Sequence, residues 1–304
     1  MAKKKKNEEV LPEGMSRRQA KLAARAAERA ALERDPRPYG GLAMEADLVA
    51  LQEFVPSAFA EIKVAGVDRK VYVATVLPGA GAALVRDEEF GGDAFVGLQT
   101  AAHSHNPNRD LAYALNWLKT AKPGETLQAA VADGSEPALD SLLSATDTLD
   151  VQAHEDFNWW LPEGTQLNPQ LAQSMQAAND SILPSFPVTG DFDGVAWWID
   201  PGEKAHIRWV RTDDEDKLLQ ALARIAAAGE LLLGEGTKFA GVFRTHGIAV
   251  PVWDLDPAVA VSEYGPLLEA LDKRIKAELD NDAALSPDER KALQNIKSRQ
   301  VTIR

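Results

Sequence analysis

One order of elements occurs twice in this sequence: a helix, a proline stop, a hairpin, a further strand and a capped helix. The first pass runs from about Leu42 to Leu127 and the second from about Leu167 to Leu232. Val55-Pro56-Ser57 closes the leading helix of the first pass, and Leu183-Pro184-Ser185 that of the second. The later helices align as Leu111/Leu218, Ala114/Ala221, Leu115/Leu222, Leu118/Ile225 and Ala121/Ala228, and each then reaches Gly-Glu. The spacing differs between passes, so a strict-period solenoid is excluded. The pattern predicts an α+β body of two similar helix–hairpin–strand–helix units. A genuine duplication would relate them by a pseudo-two-fold axis, with their joint cleft as the natural binding place. A chance match of leucine-rich helices is the competing explanation.

In the first pass Met44, Leu48, Leu51 and Val55 share one helical face before Pro56. Residues 58–64 and 70–77 read as strands joined by a hairpin turn over Gly66–Arg69, and 94–100 as a further strand. Asn108 is a candidate cap for a helix with Leu111, Leu115 and Leu118 on one side, ended by Lys122-Pro123-Gly124. A strand over 127–132, a short helix over Leu139–Leu143 and a loop carrying Trp159 and Trp160 follow.

In the second pass Asn168 and Pro169 open a helix presenting Leu171, Met175, Ala178 and Ile182. Residues 194–200 and 205–211 form a hairpin around Pro201-Gly202. Thr212 and Glu215 suggest a capping box for a helix through Leu218, Leu222 and Ile225. Residues 238–244 and 248–255 pair through Thr245–Gly247, and Pro251 predicts an edge or shortened strand. Two helices finish the chain, one over 265–279 and one capped by Ser286 with Pro287 and Glu289. The boundaries that result are 1–40 for a basic arm with an Ala-rich helix, 41–160 and 161–256 for the two α+β units, and 257–304 for C-terminal helices.

Composition removes whole classes of function. With no cysteine among 304 residues, disulfide scaffolds, thiolate zinc sites, iron–sulfur clusters and cysteine nucleophiles are excluded. No apolar run approaches the ~18 residues of a membrane-spanning helix. Four lysines follow Ala2 with no apolar stretch behind them, which argues against a secretory signal and for a cytoplasmic protein.

Charge is split along the chain. Residues 1–34 hold ten basic and five acidic groups, so they carry +5, and the remaining 270 residues carry −18. So acidic a body is a poor surface for a polyanion, since each phosphate contact wants a cation. Lys3, Lys4, Lys5, Lys6, Arg17, Arg18, Lys21 and Arg25 are therefore the candidate contacts to a ribosome, RNA or DNA. A solvated tail that aids solubility is the plainer account of the same residues.

No catalytic, cofactor or metal residue is assigned. His103 and His105 precede Asn106-Pro107-Asn108 and read as exposed loop histidines. His154 sits beside Glu155 and Asp156, a pairing that could serve general-base work, although a strand end turning into a loop explains it as well. His206 lies on an alternating strand and His246 in a turn. Gly234-Glu235-Gly236-Thr237-Lys238 lacks the P-loop spacing and precedes a strand, where phosphate binding needs a helix. Of seven tryptophans, adjacent Trp197 and Trp198 must face opposite sides of their strand. Most tryptophans should be core; Trp159, Trp160, Trp198 and Trp253 are the candidate partner contacts, as aromatic anchors with a polar edge suit interfaces.

Four stretches together resemble an uncharacterised actinobacterial family known only as a domain of unknown function: GMSRRQAKLAAR, RPYGGLAMEADLVALQEFVPSA, HEDFNWWLPEG and LGEGTKFAGVFRTHGIAVPVWDL. Members sometimes carry the labels preprotein translocase SecA or topoisomerase. This sequence supports neither, having no P-loop for the former and too short a chain for the latter. The resemblance implies a cytoplasmic bacterial protein and transfers no catalytic residue.

The reading that results is a binding or adaptor protein. Its acidic body would hold a protein partner and its basic arm would touch an anionic surface. A hydrolase or metal-dependent enzyme using His154, Glu155 and His206 or His246 in the cleft is the alternative, and a small-ligand sensor a third.

Overall fold

The computed structural model describes residues 35–162 and 164–302. The Ala-rich helix expected within 1–40, and the eight basic residues from Lys3 to Arg25, lie outside them. The described chain is α+β, with six α-helices and two six-stranded sheets among the described residues.

The first sheet is built from β1 (Ala58–Ile62), β2 (Val71–Ala74), β3 (Ala83–Val85), β4 (Ala94–Gly97), β5 (Thr126–Leu127) and β6 (Gln152–Ala153). Its order is β5-β3-β4-β2-β1-β6. Helices α1 (Glu45–Glu53) and α2 (Pro107–Trp117) share a core with it. The second sheet runs β12-β10-β11-β9-β8-β7. Its strands are β7 (Ser185–Val188), β8 (Val195–Ile199), β9 (Ala205–Val210), β10 (Lys238–Thr245), β11 (Ile248–Leu255) and β12 (Gln300–Thr302). Helix α3 (Pro169–Asn179) precedes it, and α4 (Glu215–Ala227), α5 (Tyr264–Leu279) and α6 (Pro287–Ser298) pack on it.

The three expected hairpins form: β1 with β2, β8 with β9, and β10 with β11, all antiparallel. The last turns at His246 and Gly247, both with positive φ (48° and 75°), the backbone a two-residue hairpin demands. Both passes of the sequence pattern contain a helix, a proline stop and the expected antiparallel hairpin, β1/β2 in the first and β8/β9 in the second. They part on the far side of the hairpin, because β2 is joined by β4 in parallel whereas β9 is joined by β11 antiparallel. The strand pairing therefore does not show a repeat. Leu111, Ala114, Leu115 and Leu118 are nonetheless buried, as are Leu218, Ala221, Leu222 and Ile225.

Several local expectations shift. Strand β7 was not foreseen, since Pro187 interrupts its short run; it lies at the sheet edge, where a missing N–H is tolerated. Pro251 does not confine β11, which is eight residues long and lies between β10 and β9. The ladder with β9 begins one residue later, at Val252↔Arg208, and β10 carries an irregularity between Phe239 and Gly241. The strand expected over 127–132 shrinks to β5. Pro107 holds the first turn of α2, so Asn108 falls inside the helix rather than capping it. Asp214, not Thr212, caps α4, accepting from the Lys217 amide. The Ser286/Glu289 capping box of α6 is complete.

Helix α1 determines how the two sheets meet. Its apolar residues were expected on one face, yet Ala46, Leu48, Val49, Ala50 and Leu51 are all buried. The inner face of the first sheet covers one side, and Trp197, Ile199, Val210, Ile248 and Val250 of the second sheet belong to the same core. Apolar residues on more than one side of the helix are what such a position requires. One core thus spans the boundary at residue 160, and a second core fills the far side of the second sheet under α4, α5 and α6. Arg37 adds a polar tie. It forks onto buried Glu45 with two bonds of 2.7 Å and donates to the Thr212 carbonyl across the molecule.

Asp47 of α1 has no comparable partner among the described residues, and burial pushes its carboxyl up to about 6. The folded protein therefore holds a proton there that the unfolded chain releases near pH 4. Stability from this site is present at low pH and lost as pH rises through 6. Asp47→Asn is expected to raise urea stability at pH 8 by about 1–2 kcal/mol, the positive end of α1 offsetting part of the full shift. The gain should vanish at pH 4.

Candidate functional site

The first sheet turns small residues toward α1 and large rings the other way. Ala58, Ala60, Val71, Val73, Ala94 and Val96 belong to the shared core, while Phe59, Tyr72, Leu84 and Phe95 alternate with them on the opposite face. Register places Leu84 opposite Phe95 and Phe95 opposite Tyr72, a row across three strands. Tyr72 stacks on Phe95 at 4.9 Å, and Phe59 meets Tyr72 edge-on at 5.4 Å. Such offset and edge arrangements suit the ring quadrupoles.

The loop from His154 to Trp160 folds over this row. His154 stacks on Phe59 at 4.9 Å, and Trp159 lies against Phe59 and Phe95. The Trp159 indole donates to Ser57 Oγ at 2.8 Å, and Ser57 donates to the Asp156 carbonyl at 2.7 Å. Trp160 donates to the Val76 carbonyl and stacks on Phe157 at 4.3 Å. Arg86 lies 4.6 Å from the Phe95 ring centre and donates to the Trp159 carbonyl. Burial lowers the Arg86 and His154 pKa values, with Asp93 and Asp156 respectively pulling the other way. Guanidinium remains charged in proteins, so Arg86 stays cationic. His154 is neutral near pH 7, and its Nε2 finds no hydrogen-bond partner among the described residues. Phe59, Tyr72, Leu84, His154, Trp159 and Trp160 all stay partly exposed.

The tryptophans therefore divide. Trp159 and Trp160 reach the surface. Trp198 and Trp253 do not, being 6% and 0% exposed in the second core. Trp197 and Trp198 face opposite ways as expected, but helices or the other unit cover both faces of their sheet. The sequence reading missed Phe59, Tyr72, Phe95 and Arg86. The available signal was alternation, since AFAEI, VYVA and AFVG each set small residues on one face and aromatic ones on the other.

The histidines of the enzyme reading sit in three different surroundings. His154 lies on Phe59, His206 faces Asp254 at 3.2 Å, and His246 meets Glu53 at 2.6 Å. No group of three or more His, Asp or Glu among the described residues could hold a metal ion. The space between the sheets, where a cleft was expected, holds α1. A cavity of about 680 Å³ lies instead beside the start of α2, lined in part by Asp35, Arg109, Glu136 and Asp140. No helix among the described residues is long and apolar enough to cross a membrane.

The model of a family of unknown function, DUF5926, matches residues 38–304. The chain belongs to this family. No curated protein and no solved structure matches it. The DUF5926 match takes in both sheets, the aromatic face and the Trp159 loop, and leaves out the GMSRRQAKLAAR stretch.

Proposed function

We propose that this DUF5926 protein is a non-enzymatic binding or adaptor protein that holds a polypeptide partner on the outer aromatic face of its first sheet. The observation that carries this is a cluster of rings on that face, in which Phe59, Tyr72, Trp159 and Trp160 stay partly exposed while Trp159 and Arg86 lie over buried Phe95. Rigid aromatic anchors with a polar edge are the side chains that supply most binding energy at protein interfaces. The helix–hairpin order shared by residues 42–127 and 167–232 supports two units of one plan, of which the first presents its sheet and the second covers both sides of its own. The +5 segment of residues 1–34 would contact an anionic surface such as a ribosome, RNA or DNA, in keeping with a cytoplasmic place of action.

The test is a charge set on the face. Tyr72→Arg in the full chain should stay folded, losing about 1 kcal/mol of urea stability with its ring contacts to Phe95 and Phe59. It should lower recovery of a specific co-purifying polypeptide by about tenfold, the cost of an unpaired charge at an interface centre. Equal recovery by wild type and variant would count against the face as the binding site.

A further inference from the structure

The second sheet contains a site of different chemistry. A cavity of about 200 Å³ opens between β9, β10, β11 and the turn ahead of β12. Arg208 and His206 line it from β9, Val252 and Asp254 from β11, Phe243 from β10, and Arg299 from the end of α6. Gly241, at φ 151°, permits the close approach, since a Cβ there would lie 2.8 Å from the Arg299 carbonyl oxygen.

Arg208, like Arg86, is a cation set against aromatic rings. Its guanidinium lies between the rings of Phe54 and Phe243, 5.4 and 5.3 Å from their centres. It forms no ion pair among the described residues, and its Nε is buried without an acceptor. Several other arginines of the chain are paired with carboxylates. Arg211 reaches Asp213 and Asp272, Arg224 reaches Glu278 and a carbonyl, and Arg109 reaches Glu136. A chain with a net charge of −13 has carboxylates to spare, yet none is set against Arg208. A half-buried cation without a counter-charge carries a desolvation cost, and two ring faces return only part of it. Exposed Arg299 also forms no side-chain ion pair among the described residues and borders the same cavity.

From this geometry we infer that the cavity is a binding site for a small organic carboxylate, with Arg208 receiving the carboxylate and Phe243 and Val252 flanking an apolar body. The planar guanidinium fork matches a carboxylate's two oxygens. Asp254 on the cavity wall, held by Lys204 and His206, repels a second negative charge and so disfavours phosphate dianion. The volume suits a ligand of roughly ten non-hydrogen atoms, below the usual range for drug-sized sites.

The experiment is saturation-transfer NMR and thermal denaturation of the full chain with benzoate, 4-methylpentanoate or inorganic phosphate, in wild type, Arg208→Met and Arg299→Gln. Wild type should bind the two organic carboxylates, and R208M should weaken them by about tenfold or more, as for loss of a charge-assisted pair. R299Q should weaken them by a few-fold. In ligand-free buffer R208M should melt at or above wild type, because it removes an unpaired cation without opening a cavity. This second readout shows that the variant is folded. Absence of carboxylate binding to wild type, equal binding to R208M, or Arg208-dependent binding of phosphate alone would each overturn the inference.

Discussion

Replacing Asp272 with alanine should lower the urea stability of this protein by about 3 kcal/mol or more, within the range for breaking one partner out of a buried ion pair. Asp272 of α5 and Arg211, just past β9, are 1% and 0% exposed. Their side chains bond directly, Lys276 meets the second Asp272 oxygen at 2.6 Å, and Arg211 stacks over Trp209 at 4.6 Å. Removing the carboxylate leaves a guanidinium that water cannot reach. Asp213, 2.6 Å from Arg211 Nε, still holds one edge, which places the effect toward the lower end of that range. The double variant Arg211→Met, Asp272→Leu should recover most of the loss, because an apolar pair of similar volume removes the uncompensated charge. A double-mutant cycle by urea denaturation reads both outcomes. A single variant as stable as wild type would show that the pair does not anchor α5 to the second sheet.

Trp253→Ala should cost about 3–5 kcal/mol, the usual penalty for emptying a large aromatic site in a core. Its ring lies 5.2 Å from Phe239 and 6.3 Å from Trp209, and none of it is exposed. Trp159→Ala removes a partly exposed ring and should cost about 1–2 kcal/mol through lost cover of Phe59 and Phe95. Denaturation of both variants under one condition checks the ordering. The contrast matters for function, since a binding defect in a Trp253 variant would report unfolding, whereas one in a Trp159 variant would report the face.

Legibility in the sequence followed the range of the interactions. The three hairpins and the α6 capping box are local, set by turn residues and by Ser286 and Glu289, and they were readable. Caps slipped where two candidates lay close together, as at Thr212 and Asp214. Helix α1 was found but its surroundings were not. The spacing of Met44, Leu48, Leu51 and Val55 shows one apolar face, while the alanines and Val49 between them fit equally well against water or a second sheet. Pro251 misled because its effect depends on where the neighbouring ladder starts. The aromatic face lay in plain alternation, yet a ring on the second side of a strand becomes informative only once no helix is known to cover it. Arg208 was the least legible. Its flanking pattern in AHIRWVR equals that of any solvent-facing strand residue, and the missing carboxylate is a fact of tertiary placement.

The central claim is that the first sheet's outer face receives a polypeptide, and site-specific photocrosslinking tests it most directly. A benzophenone side chain at position 72 of the full chain, irradiated in the native cell, should give one discrete adduct whose partner is identified by mass spectrometry and recaptured from purified components. The same group at exposed position 235 should not give it. No adduct from position 72, or the same adducts from both positions, would contradict the account.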